Sequence, residues 1–154
     1  MIAPGAISAP GVSSRTLFQD QLVLITPPAH PLARQAYIEA SDLADQEYLT
    51  YSRDRQPGFE YDRFIRPAGV SPQYVQVVEW TDTIVELIAA NFGVSILSKW
   101  ALQRSIQNGL VSAIPLGKRG LPLTWSILSR TQDRQREPVQ LMQQILIQWF
   151  GKNA

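Results

Sequence analysis

The sequence predicts an α/β fold, because two kinds of hydrophobic pattern alternate along it. Short runs rich in Val, Ile and Leu, bounded by Pro, Gly or polar residues, are typical of buried strands. Between them lie segments in which apolar residues recur every three or four positions, as in amphipathic helices. Such alternation favours a largely parallel sheet. The 154 residues are enough for one domain or two small lobes.

The N-terminal third contains two predicted strands and one helical turn. Residues 1–19 are rich in Pro, Gly and Ser, which predicts either a flexible leader or an ordered turn at a lobe edge. Strands are predicted at Gln21–Thr26 and Tyr48–Ser52. Ser41–Ala44 is predicted to be one helical turn, with the Ser41 hydroxyl as its N-cap.

The middle of the chain continues the alternation. Residues 59–66 fit a helix that ends at Pro67 and Gly69, and Tyr74–Val78 is a third strand. A second helix is predicted at Thr83–Asn91, where Thr83 and Glu86 have the spacing of a capping box.

This second helix has an apolar stripe and a stop signal. Gly93 occupies the position expected for a residue just beyond a helix end. The stripe consists of Ile84, Leu87, Ile88 and Phe92.

The C-terminal third adds three strands and two helices. Strands are predicted at Val94–Leu97, Leu110–Ile114 and Leu123–Leu128, and helices at Trp100–Gln107 and Pro138–Phe150. The predicted apolar face of the last helix consists of Met142, Ile145, Leu146 and Trp149.

Composition excludes several kinds of site. The net charge of +1 is too small for a domain that binds duplex DNA by itself. Without cysteine, and with His30 as the only histidine, thiolate catalysis and Cys or multi-His metal sites are excluded. No Ser and Asp spacing supports a triad with His30, and there is no dinucleotide or P-loop motif, so we expect neither an enzyme nor a cofactor.

Targeting signals are also missing from the sequence. The first residues lack the basic region of a secretory signal, and no apolar run approaches the roughly 20 residues of a membrane span. We therefore expect a soluble cytoplasmic chain.

Five short motifs occur in a characteristic order and together resemble the effector-binding domain of LysR-type transcriptional regulators. The resemblance extends over residues 17–130, and the final helix also fits it. The five motifs lie at residues 22–25, 29–33, 41–44, 67–72 and 88–97.

Within this family, the chain is most similar to the subfamily that regulates methionine biosynthesis in response to homocysteine. The residues on which this similarity depends are Leu17-Phe18, His30–Ala33, Asp42–Ala44, Pro67–Pro72 and Trp100.

The resemblance implies two Rossmann-like lobes joined by two crossing strands, as in type II periplasmic binding proteins. Leu22–Ile25 and Leu123–Leu128 would be the crossing strands. Residues 47–122 would form the second lobe, and residues 1–46 with 123–154 the hinge and remnants of an incomplete first lobe. A small metabolite would bind between the lobes, and DNA would be bound only through a helix-turn-helix domain absent from this chain. The resemblance also implies a homo-oligomer.

Polar residues at the strand ends are the candidate ligand-binding groups. Thr50 and Ser52 end a predicted strand and Arg53 and Arg55 follow, so hydroxyls and a guanidinium are available for a carboxylate. The resemblance adds that related regulators place a ligand-binding Ser or Thr at this strand end. The alternative is a solvated loop.

Three further candidates lie later in the chain. Thr81 precedes the best helix, Ser98 follows a strand, and Trp100 offers a flat apolar wall and an indole donor. Helix capping is the alternative at this helix start, and packing on the next helix is the alternative for Trp100.

A second hypothesis is that the chain is an interaction fragment. Without half of the first lobe, part of its apolar surface would lack a core and would drive self-association or capture of a full-length regulator. The residues expected to be exposed are Val23, Ile25, Trp125, Ile127, Ile145 and Trp149.

Overall fold

A computed structural model describes residues 1–5, 8–52 and 57–153. The strands, numbered β1 to β7, are Ile2–Pro4, Val12–Thr26, Glu47–Thr50, Tyr74–Val77, Ser95–Ser98, Ser112–Pro115 and Leu121–Arg130. The α-helices, numbered α1 to α3, are Thr81–Ala89, Gln103–Gln107 and Glu137–Asn153. Short 3-10 or π turns lie at residues 31–34, 40–43, 61–65, 66–68, 100–102 and 131–133.

The chain divides into two compact units. Unit 1 comprises Met1–Gln21 and Pro122–Ala154, and unit 2 comprises Leu22–Leu121. Residues 22–46 therefore belong to the same unit as residues 47–121. None of the helices in the described ranges is long and apolar enough to cross a bilayer.

In unit 1, the N-terminal residues form strands. β1 pairs antiparallel with β7, with Ile2 opposite Ile127, and β2 begins at Val12. The flexible leader is therefore wrong; among the described residues, the ordered turn is present only at residues 9–12, where the Val12 amide donates to the Ala9 carbonyl at 3.1 Å, and strands flank it. The physical reason is that pairing with a strand more than 100 residues away in sequence satisfies the backbone here, which local Gly and Pro content does not reveal.

Helix α3 is anchored to unit 1 by its C-terminal end. The Phe150 ring is buried and stacks on Phe18 at 4.7 Å, and Phe18 in turn stacks on Trp125 at 5.9 Å. Most of the predicted apolar face is exposed, as the interaction-fragment hypothesis expected for Ile145 and Trp149. The exposed large apolar residues of α3 are Leu141, Met142, Ile145 and Trp149, with exposed fractions of 52–57%.

In unit 2, β2 lies between two antiparallel neighbours. Leu22–Ile25 pairs with β5, and Val23–Thr26 pairs with β6. β3 and β4 form a separate parallel pair. The α/β class is thus confirmed, but the strand pairing is mixed rather than largely parallel, because β2 runs antiparallel to both β5 and β6.

Helix α1 covers the core of unit 2. Ile84 and Ile88 are fully buried and pack with Val23 and Leu49. Phe92, which the predicted stripe included, is 63% exposed.

The predicted start and stop signals of α1 were also wrong. The helix begins two residues earlier, and Trp80 is its N-cap without a side-chain hydrogen bond, so Thr83 lies inside the first turn. The helix ends at Ala89, and Asn91 rather than Gly93 takes the left-handed conformation after it, with φ of 65°.

The predictions of a helical turn at residues 41–44 and of a helix at residues 59–66 had different outcomes. The turn at 40–43 exists, but Glu39 and Asp42 cap it reciprocally instead of Ser41, with Asp42 Oδ2 accepting from the Glu39 amide at 2.9 Å. The helix predicted at 59–66 is a π turn followed by a 3-10 turn, and it ends at Gly69 in the left-handed conformation as expected.

Gly93 permits a close backbone approach to β3. A Cβ atom at Gly93 would lie 2.3 Å from the Glu47 carbonyl oxygen, and its φ of 146° disfavours side chains independently. The glycine therefore has a packing role rather than the helix-ending role that the sequence suggested.

We predict that Gly93→Ala lowers the free energy of unfolding by about 2–4 kcal/mol, because the new methyl group forces β3 away from residues 93–95. Urea denaturation followed by circular dichroism measures the change. Gly117→Ala is the matched control: it has a left-handed φ of 64° but open space around the added Cβ. The control should lose only about 1–2 kcal/mol, and equal losses for the two variants would contradict the role assigned to Gly93.

Candidate functional site

Three strands of unit 2 end at one edge because β3 is joined to the chain around Val94. The Val94 amide donates to the Glu47 carbonyl at 2.8 Å, and the Leu49 amide donates to the Val94 carbonyl at 2.9 Å. This bridge is parallel, and β3 is also parallel to β4. The carboxyl ends of β3, β4 and β5 therefore share an edge, which is where open α/β sheets bind ligands.

A buried hydroxyl strengthens the same junction. Ser95 is fully buried, and its Oγ donates to the Leu49 carbonyl at 2.7 Å. The hydroxyl thus extends the hydrogen bonding between β3 and β5 by one residue beyond the backbone bridge.

Two predicted ligand residues lie at the end of β3. Thr50 is the last residue of the strand and is half-buried, and its Oγ1 donates to the Ser52 carbonyl at 3.3 Å. Ser52 follows and is also half-buried. The other predicted residues here, Arg53 and Arg55, lie outside the described residues.

Thr81 is the first residue of α1 and is exposed. The Val78 amide donates to the Thr50 carbonyl at 2.8 Å, which brings the chain just before α1 against the end of β3. No side chain caps the N-terminus of α1 within the described part of the chain. Free amides and the positive end of a helix dipole are suited to an anion.

Ser98 and Trp100 follow β5. Ser98 pairs with Leu22 in the sheet, and its Oγ accepts from the Ala101 amide at 3.4 Å, so this hydroxyl also orients the next turn. Trp100 begins the 3-10 turn and is half-buried. The structure thus assigns Thr50, Ser98 and their neighbours to strand ends on one edge.

Sequence reasoning missed Glu60, the N-cap residue of the π turn. Its side chain is 9% exposed, and among the described residues its Oε2 atom is buried without a hydrogen-bond partner. Burial raises the pKa of the Glu60 carboxyl, and a hydrogen bond with its own backbone opposes this shift. A glutamate between Phe59 and Tyr61 has no local sequence signal that would indicate burial.

Two tyrosines of the β3 segment share the electrostatic environment of Glu60. Burial raises the pKa of Tyr48 and of Tyr51, and the nearby Glu60 carboxylate raises both further. Because Tyr51 lies between Thr50 and Ser52 in sequence, it connects the surroundings of Glu60 to the candidate edge.

The described residues do not support a metal site, and they give His30 a structural role. The described residues contain no group of three or more potential His, Cys, Asp or Glu ligands. His30 Nδ1 accepts from the Leu32 amide at 3.2 Å and caps the turn at 31–34, in agreement with a structural role.

Unit 1 has a groove of its own, with a volume of about 410 Å³, between α3 and the strands β1 and β7. Its walls are mainly apolar side chains, and Arg130 and Asp133 also line it. No predicted ligand residue lines it.

Comparison with known proteins agrees with a small-molecule-binding domain. The family model for the LysR substrate binding domain matches residues 1–151. The transcriptional regulator MetR of Escherichia coli is 34% identical over 131 residues, which cover 84% of this chain and 40% of that regulator. The chain thus spans less than half the length of the curated relatives it matches.

Solved structures have the same fold. The regulatory domain of MetR from Neisseria meningitidis superposes with a TM-score of 0.84 at 24% identity, over 99% of this chain and 70% of that one. The effector-binding domain of QuiR in complex with shikimate gives a TM-score of 0.77 at 19% identity, over 98% of this chain and 72% of that one.

The chain therefore belongs to the LysR substrate-binding domain family. This confirms the resemblance seen in the five motifs and the similarity to the methionine-biosynthesis regulators. Membership in a family of regulator domains also confirms the expectation that the chain is not an enzyme.

We predict that Ser95→Ala lowers the free energy of unfolding by about 1–2 kcal/mol, because the Leu49 carbonyl loses a buried hydrogen bond. Chemical denaturation measures the change. Ser41→Ala is the control, since Ser41 is exposed and does not cap its turn, and it should change stability by less than about 0.5 kcal/mol. If only Ser41→Ala lowered the stability, the result would contradict both the stabilising hydrogen bond assigned to Ser95 and the absence of a capping role for Ser41.

Proposed function

We propose that the chain is the ligand-sensing portion of a LysR-type transcriptional regulator and that it binds a small anionic metabolite at the carboxyl edge of unit 2. The observation on which this rests is the shared edge of β3, β4 and β5: Thr50 ends β3, and the uncapped α1 begins shortly after β4. A carboxylate fits this combination, because neutral donors and a helix dipole stabilise an anion without a buried counter-charge.

The ligand-binding residues in this proposal are Thr50, Ser52, Thr81, Ser98 and Trp100, with Arg53 completing the set. Hydroxyls would donate hydrogen bonds to the carboxylate oxygens, and Trp100 would pack against the apolar part of the ligand. The shikimate bound to QuiR is a carboxylate, which agrees with this class of ligand.

The domain organisation is part of the same proposal. Residues 47–122 form the second effector lobe, and residues 1–46 and 123–154 belong to the first lobe and the hinge; of these, residues 22–46, which pack in unit 2, belong to the hinge. DNA is bound through a separate helix-turn-helix domain. The regulator acts in the cytoplasm as a homo-oligomer. A ligand shifts its conformational equilibrium only by its differential affinity for two states.

Similarity to the methionine-biosynthesis regulators makes L-homocysteine the first ligand to test. We predict that it binds in isothermal titration calorimetry and that a Thr50→Ala, Thr81→Val double variant binds at least about tenfold more weakly, since two hydrogen bonds are lost. Thr131→Val, at an exposed turn of unit 1, is the control and should bind normally. Equal affinity of all three proteins would exclude the proposed edge, and absence of binding would exclude homocysteine.

The second candidate function, an interaction fragment, is favoured by the exposed apolar face of α3. Met142, Ile145 and Trp149 are spaced by three and four residues, which forms a continuous stripe on a helix. Three other residues expected on this surface, Val23, Ile25 and Ile127, are instead buried. The surface available for association is therefore narrower than the sequence suggested.

If α3 mediates self-association, Ile145→Lys should shift the chain towards monomer, because a charge replaces an apolar contact. Sedimentation velocity over a concentration series measures the shift. Gln144→Lys adds the same charge at an exposed neighbouring position and should leave the association unchanged. A wild-type chain that stays monomeric at all concentrations would remove this candidate.

A further inference from the structure

Residues 57–69 form a short segment, here called the latch segment, bracketed by two glycines. Gly58 and Gly69 have φ angles of 80° and 66°, and nothing lies within 4 Å of a Cβ built on either one. Between them lie the π turn at 61–65 and the 3-10 turn at 66–68. Left-handed glycines without neighbours allow the chain to change direction at both ends of the segment.

Two side chains of the latch segment are buried. Ile65 is 2% exposed, and Glu60 is 9% exposed. The polar contacts of Asp62 are local: Oδ2 accepts from the Gly58 amide at 3.2 Å, and Oδ1 lies 3.4 Å from Arg66. These contacts hold the shape of the segment, whereas the buried side chains attach it to the rest of unit 2.

Glu60 is an unusual residue for such an attachment. Two ion pairs occur within the described ranges, Asp62–Arg66 and Asp133–Arg136, and Glu60 takes part in neither. A buried carboxylate without a counter-charge costs far more than a buried neutral carboxyl group. The protonated form of Glu60 is therefore the form that suits the attached segment.

Among the described residues around Glu60, the carboxyl of Glu60 is the group whose charge changes. From β3 and the residue after it, the phenols of Tyr48 and Tyr51 interact electrostatically with Glu60, and both have a raised pKa, so they stay neutral through the physiological range. On its own segment, Asp62 is paired with Arg66, and the Arg63 guanidinium donates to the Gly58 carbonyl at 3.4 Å.

We propose that Glu60 is a proton-operated latch: its neutral carboxyl holds residues 57–69 against the rest of unit 2, and its ionised carboxylate moves into water and releases them. The end of β3, with Thr50 and Ser52, is separated from Glu60 by fewer than ten residues and interacts with it through Tyr51. Release of the latch segment therefore alters the edge proposed to bind the effector. The latch itself does not depend on the identity of that effector.

The direction of the pH effect follows from the raised pKa of Glu60. The attachment is strongest below the ordinary pKa of a glutamate. It weakens as the pH rises through the raised pKa, because the released state binds the proton less tightly than the attached state.

Hydrogen exchange of the full chain between pH 4.5 and 8, corrected for intrinsic rates, tests the latch. In the wild type, protection of the 61–69 amides should fall by up to about tenfold per pH unit above the pKa of Glu60, while α1 stays protected. Glu60→Gln should keep the segment protected at every pH. Glu86→Gln, at an exposed site on α1, should behave like the wild type.

Two results would overturn the latch. One is equal pH dependence of the 61–69 amides in the wild type and in Glu60→Gln. The other is a Glu60 pKa at or below the ordinary value in a carbon-13 NMR titration of the wild type. The titration decides the question even if Glu60→Gln does not fold, and neither result bears on whether the edge of unit 2 binds a carboxylate.

Discussion

The architecture of unit 2 depends on the close approach of residues 93–95 to β3. Two backbone hydrogen bonds, the Ser95 hydroxyl and the missing side chain of Gly93 all act within this short stretch. Without it, the β3–β4 pair would have no hydrogen-bonded connection through Val94 to the chain leading into β5. The proposed ligand edge exists because this junction makes the strands end together.

The same junction bears on the strand-end hydroxyls of the proposed site. Thr50 and Ser98 lie near the ends of strands whose bases are fixed by backbone bonds and by the buried core of Val23, Leu49 and Ile88. Because the strand bases are rigid, the proposed site can use short, neutral side chains at the strand ends in place of long or charged ones. This fits the near-zero net charge of the chain, since recognition by neutral donors needs no basic patch.

Sequence reasoning located most elements of unit 2, because strands such as β5 and the core stripe of α1 have strong local patterns. It failed where a distant partner or a competing local bond decides the outcome. β1 forms because β7 pairs with it, and α3 buries Phe150 because Phe18 stacks on that ring. The Thr83–Glu86 pair had the right spacing for a cap but lies inside a helix that begins earlier. Burial of Glu60 depends on tertiary packing and leaves no local signal.

The most direct test of the account is to map L-homocysteine binding by NMR on the isotopically labelled chain. We expect the largest amide shifts at the strand ends of unit 2, around Thr50, Thr81 and Ser98, with little change in α3. Shifts concentrated in the groove of unit 1 that Met142 lines would contradict the proposed site. No shifts at millimolar ligand would contradict homocysteine as the effector, and a panel of other small carboxylates would then be mapped in the same way.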